Sequence, residues 1–191
     1  MDSLTASQAR DHIEMVDRIL SRSERSLHVG GEFFLAWGLF STAVTLTAQL
    51  VVDRRIPANS LWVLPVLLAA AIAFSAIRGR QLGKCKDGLS LIQREFFAVL
   101  WISLGVAMFT DMVAYRIFTT WASSAIWTVA AAVVLFFIAS HGNRRALACG
   151  IILLGSLAAA NLLPAFTGYA LAAGMLFGYA GFGLISLIAR D

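Results

Sequence analysis

Charge is what this chain has least of. Only 14% of its 191 residues are Asp, Glu, Lys or Arg, whereas 59% are hydrophobic. A soluble domain carries about a quarter charged residues and has nowhere to bury so much apolar surface. The surplus is expected to face lipid. The first thirty residues are polar and contain no apolar stretch of the kind a cleaved leader needs, so the first span is expected to direct its own insertion. The two cysteines, Cys85 and Cys149, are far apart and match no CxxC or metal-ligand spacing, which points to free thiols. No Asn-x-Ser/Thr sequon marks a glycosylated surface. HExxH motifs, serine nucleophile elbows and paired cysteines are missing, and His12, His28 and His141 all fall outside the apolar runs. The chain is therefore expected to have no catalytic centre, no cofactor and no metal. A haem or metal role for His28 and His141 near one interface is the weak exception.

What is abundant is apolar sequence in lengths that matter. A hydrocarbon core about 30 Å thick needs about 17–25 helical residues. Six runs qualify: Phe33–Val52, Leu61–Ile77, Phe96–Tyr115, Ala122–Ser140, Ala146–Leu163 and Tyr169–Ala189. The intervals between them carry turn formers, as in DRRIPANS, HGNRR and PAFTG. Twelve of the 15 Lys and Arg lie before the first run, after the second, after the fourth, or after the sixth. Arg54, Arg55 and Arg116 are the exceptions. Basic residues are retained on the cytoplasmic side, so an even number of spans with this bias puts both termini in the cytoplasm. The expected fold is an all-α, polytopic bundle of six transmembrane helices in a bacterial plasma (inner) membrane. The basic excess then needs no nucleic-acid partner; anionic lipid headgroups at the cytoplasmic face meet it.

Residues 1–31 form a separate expected unit before the bundle of residues 32–191. From about Ser7 to Leu27 the pattern is that of a cytoplasmic amphipathic helix, with Ile13, Val16, Leu20 and Leu27 at three-and-four spacing and a capping-box pair, Thr5 and Gln8. Gly30–Gly31 is the expected hinge. Such a stripe pairs with another copy, docks on a partner, packs beneath the bundle or lies on lipid. The lack of aromatics and lysines argues against the last.

The tripeptide EFF stands at the mouths of spans one and three, so Glu32 and Glu95 fall at helix N-termini. There the unpaired N–H groups and partial positive charge favour a carboxylate by a few tenths to about 1 kcal/mol. The same two residues could instead form an inward acidic pair for a cation or proton, or make salt bridges with Arg25, Arg94 or the neighbouring loop. The repeated EFF also hints at duplicated two-helix hairpins.

Polar residues within spans are costly and so are candidates for function. Gln49, Asp111 and Asn161 each lie about 22–24 Å along spans one, three and five. Trp62, Trp121, Tyr115 and Tyr169 share that depth. Together they make either an ordinary interfacial belt or a shallow outward-facing pocket for a small organic or cationic ligand. In the last span Ala170, Gly174, Gly178 and Gly181 form one smooth stripe suited to close helix packing, within the bundle or across a homodimer seam.

Two function classes lead. One is a non-enzymatic membrane protein that couples its bundle to itself or to a cytoplasmic partner through the N-terminal helix. The other is a small-solute binding or transport unit around Asp111. In size, six spans and cytoplasmic termini the chain resembles the substrate-binding membrane components of energy-coupling-factor vitamin transporters. That likeness covers architecture alone and implies a bound solute without assigning residues. A channel would need polar residues through the full depth, of which the even-numbered spans offer few.

Overall fold

The computed structural model describes residues 30–83, 91–114 and 120–189. The stripe of Ile13, Val16, Leu20 and Leu27, the loop containing Cys85, and Tyr115 lie outside the described residues. Among those described, all regular structure is helical: α1 Gly31–Val52, α2 Val63–Gly83, α3 Leu91–Ala114, α4 Thr120–Ser140 and α5 Arg144–Leu162. The sixth span is built from α6 Thr167–Gly174, a π-helical stretch Met175–Ala180, and α7 Gly181–Ile188. Six of these segments are long and apolar enough to cross a membrane, as in an integral membrane protein. In hydrocarbon every backbone N–H and C=O must be bonded within the segment, and the helix does this.

The start of α5 follows capping chemistry rather than hydropathy. Asn143 caps α5, its Oδ1 accepting from the backbone N–H of Arg145 and Ala146 at 3.1 Å each. The helix therefore starts at Arg144, ahead of the apolar run. Gly142, at φ +93°, supplies the left-handed turn before the cap. α2 extends past Ile77 to Gly83, running through Gly79, a residue a helix tolerates at a cost of about 1 kcal/mol, with Arg78, Arg80 and Gln81 continuing it beyond the apolar run.

α1, α4, α5 and the sixth span pack together, while α2 leans on α1 and α3 leans mainly on α4. The core is Phe34, Val134, Leu135, Ile138, Ala146, Cys149, Leu153, Met175 and Phe182, with Ala132 among them. Phe34 sits in an aromatic cage, its ring centroid 5.0 Å from Tyr179, 5.1 Å from Phe182 and 6.0 Å from Phe96. The outer faces of α2 and α3 expose large apolar side chains such as Val66, Ile72, Ile102, Phe109 and Met112, as lipid contact requires.

Candidate functional site

The polar residues singled out by depth divide into two bonded groups. In the first, Gln49 is buried, at 3% exposure. Its Oε1 accepts from the Gly168 N–H at 3.0 Å and its Nε2 donates to Asp53 Oδ1 at 2.8 Å. The backbone N–H can only donate and the carboxylate only accept, which determines how the amide is turned. Tyr169 OH donates to the other Asp53 oxygen at 2.7 Å. The end of α1 is thereby tied to the start of α6. Trp121 joins from α4: a Cβ on Gly168 would overlap its ring. Gly168 is thus required by the close approach of Gln49 and Trp121.

In the second group, half-buried Asp111 on α3 accepts at Oδ2 from Ser123 Oγ at 3.0 Å and from Trp127 Nε1 at 3.3 Å, both on α4. Asn161 and Trp62 are exposed, Trp62 at 78%. So Gln49, Tyr169 and Trp121 come together, Asp111 makes its own attachment, and Asn161 and Trp62 face outward.

At the opposite end of the bundle Glu32, in the first turn of α1, forms a bidentate ion pair with Arg78 near the end of α2. Arg78 Nη1 also donates to Gln81 Oε1 at 2.8 Å. Below the pair, Phe33 packs edge-on against Phe74, and Trp37 Nε1 donates to Ser75 Oγ at 3.0 Å. These rungs fasten α2 to α1. Glu95 is exposed at the start of its apolar run. His141 Nδ1 lies 2.9 Å from the Phe137 carbonyl, with the ring tilted against Phe137 at a centroid distance of 4.7 Å. Between α1, α2 and the end of α7 runs a groove of about 570 Å³, with Glu32 and Arg78 at its mouth.

Gly174 and Gly178 face α5, where a Cβ would meet Ser156 at the first and Leu153 and the Cys149 carbonyl at the second. Ala170 is half-buried. Gly181 meets nothing closer than the carbonyl of Leu176, in its own span, at 3.5 Å. The π-helical stretch between Gly174 and Gly181 explains this: each i→i+5 turn takes up an extra residue and rotates the later part of the span away from the earlier stripe. Gly38 and Gly183 make the other close crossing. A Cβ on Gly38 would overlap the backbone of Ala180, and one on Gly183 the backbone of Leu35.

Asp53, Arg78, Ser123 and Trp127 did not stand out in the sequence. Gln49 and Asp53 are four apart at a helix end, as are Ser123 and Trp127, and that spacing was the available signal. Among the described residues, no three His, Cys, Asp or Glu side chains converge as metal ligands. Comparison with protein-family models, curated proteins and solved structures finds no match to this chain.

Proposed function

We propose that this integral membrane protein is non-enzymatic and couples its bundle, through the N-terminal segment, to a second copy or to a cytoplasmic protein, with both termini in the cytoplasm of a bacterial cell. The observation that carries the proposal is the root of that segment. Gly31 is buried where α1 crosses α7, and a Cβ there would stand 3.0 Å from the Gly183 carbonyl and 3.1 Å from Ser186. One residue on, Glu32 is clamped to Arg78 of α2. A pull or rotation on the segment preceding residue 30 thus acts on three helices at once. The amphipathic stripe of Ile13, Val16, Leu20 and Leu27 supplies the face for a partner.

The non-enzymatic reading draws on the hydroxyls. Thr42, Ser75, Thr128, Ser156 and Thr167 donate to backbone carbonyls rather than standing beside a base, and Ser140, which lies 3.3 Å from His141 Nδ1, donates to the Phe137 carbonyl at 2.7 Å. Solute binding around Asp111 is the second reading, favoured by the half-buried carboxylate; a ligand there would have to displace Ser123 or Trp127.

The test is a photo-crosslinker introduced at Val16 or Leu20, and separately at Arg18 or Arg22, in native membranes. The stripe positions should give a discrete protein adduct, a second copy or a soluble partner, and the arginine face should give little. Equal yield from both faces, or lipid adducts alone, would falsify the proposal.

A further inference from the structure

We infer that the groove between α1, α2 and the end of α7 binds a phospholipid with a primary-ammonium headgroup, a phosphatidylethanolamine. The inference depends only on the chain crossing a membrane, not on the partner reading above. The groove floor is Leu35, Ala36, Leu39, Phe74 and Leu187. With Glu32, the α1 members recur at intervals of three and four and so share one face of that helix. From Glu32 to Leu39 the groove runs along the helix for seven residues, about 10 Å. It leads from a charged mouth into the apolar length of the span, the direction a lipid acyl chain takes. Its volume, about 570 Å³, falls within the range of about 300–1,000 Å³ typical of small-molecule sites.

The mouth selects the headgroup. Glu32 and Arg78 neutralise each other, yet neither is used up. A guanidinium has five N–H donors; among the described residues Nε and Nη2 reach Glu32 and Nη1 reaches Gln81, which leaves two. The carboxylate likewise keeps lone pairs free. Both side chains remain partly accessible, at 41% for Arg78 and 26% for Glu32. A phosphate therefore finds donors on Arg78, and a primary ammonium finds an acceptor on Glu32. Choline has no N–H to donate. An anionic glycerol headgroup offers no positive charge to Glu32. The sequence before residue 30 carries four arginines, which suit neither the depth nor the apolar floor and argue against the chain's own N-terminal segment as occupant.

The test is native mass spectrometry of the full-length protein in detergent, titrated with dioctanoyl phosphatidylethanolamine, phosphatidylcholine and phosphatidylglycerol. The ethanolamine lipid should bind about tenfold more tightly than the other two, the effect of one charge-assisted hydrogen bond. Glu32→Gln leaves Arg78 without its counter-charge and should shift the preference to phosphatidylglycerol. Leu39→Trp fills the groove beneath an intact ion pair and should weaken all three lipids at this site. Equal affinities for the three headgroups in the unaltered protein would overturn the inference, as would an ethanolamine preference untouched by both substitutions. A chain lacking residues 1–27 should behave like the full chain. If the preference emerged only after that removal, the N-terminal segment would be the occupant and the lipid assignment wrong.

Discussion

Asp111 places both of its described hydrogen bonds on one oxygen, Oδ2, which receives Ser123 and Trp127 together. An asparagine retains one carbonyl oxygen and can serve both donors; a leucine can serve neither. If the residue's task is to hold α3 to α4, Asp111→Asn should unfold at nearly the same point as the unaltered protein. Asp111→Leu should lose about 1–2 kcal/mol, since hydrogen bonds between membrane helices average about 0.6 kcal/mol and reach about 1.7. Thermal unfolding in detergent measures both. An asparagine variant as weak as the leucine variant would mean that the charge itself matters, which favours solute binding. The position of Asp111 near the end of α3 was readable from the sequence. Its partners were not, because which face of α3 turns toward α4 is decided by packing between helices.

At the scale of elements, the bundle depends on two sets of close crossings, α6 and the π-helical stretch on α5, and α1 on the sixth span. The glycine stripe in the last span was legible and its first part does meet α5, through Gly174 and Gly178. The crossing through Gly38 and Gly183 was hidden, since its two halves lie in different spans and the π-helical stretch shifts their register. Gly183→Ala would push a methyl group into the backbone of α1, which cannot yield as a flexible side chain does. The expected cost is about 1–3 kcal/mol, as for overpacking elsewhere. Gly155→Ala is the contrast. Nothing lies within 4 Å of a Cβ there, so the gain in helix propensity should leave the protein unchanged or up to about 1 kcal/mol more stable. Unfolding of the two variants side by side tests whether the crossing or glycine content in general governs stability.

For the whole molecule, polar ties hold helices together at both ends of the bundle. Glu32 meets Arg78 at one, and Gln49 and Asp53 meet Gly168 and Tyr169 at the other. Among the described residues Arg78, Arg80, Arg144 and Arg145 lie at the first of these ends, and the proposal that this end faces the cytoplasm rests on the retention of basic residues there. In a background with Cys85 and Cys149 replaced, Asn59→Cys should react with a membrane-impermeant maleimide in intact cells. Arg145→Cys should react only after permeabilisation. The reverse pattern would invert the orientation and move the N-terminal segment to the outer face.

Composition and hydropathy alone determined that the described residues form helices, six of them long and apolar enough to cross a membrane, and nearly where they lie. Each of those properties belongs to a single segment: a backbone surrounded by lipid must close its own hydrogen bonds, so every apolar run of sufficient length becomes a helix irrespective of its neighbours. Only the tertiary structure decided that α1, α4, α5 and the sixth span form the centre while α2 and α3 flank them. It also decided that Gln49 belongs with Asp53 and Gly168 rather than with Asp111 and Asn161. Lipid removes the hydrophobic drive that would press helices together in water, so their pairing and rotation rest on short-range fit between small residues and a few polar contacts. Those depend on where two segments meet in space, and the linear order of residues does not record it.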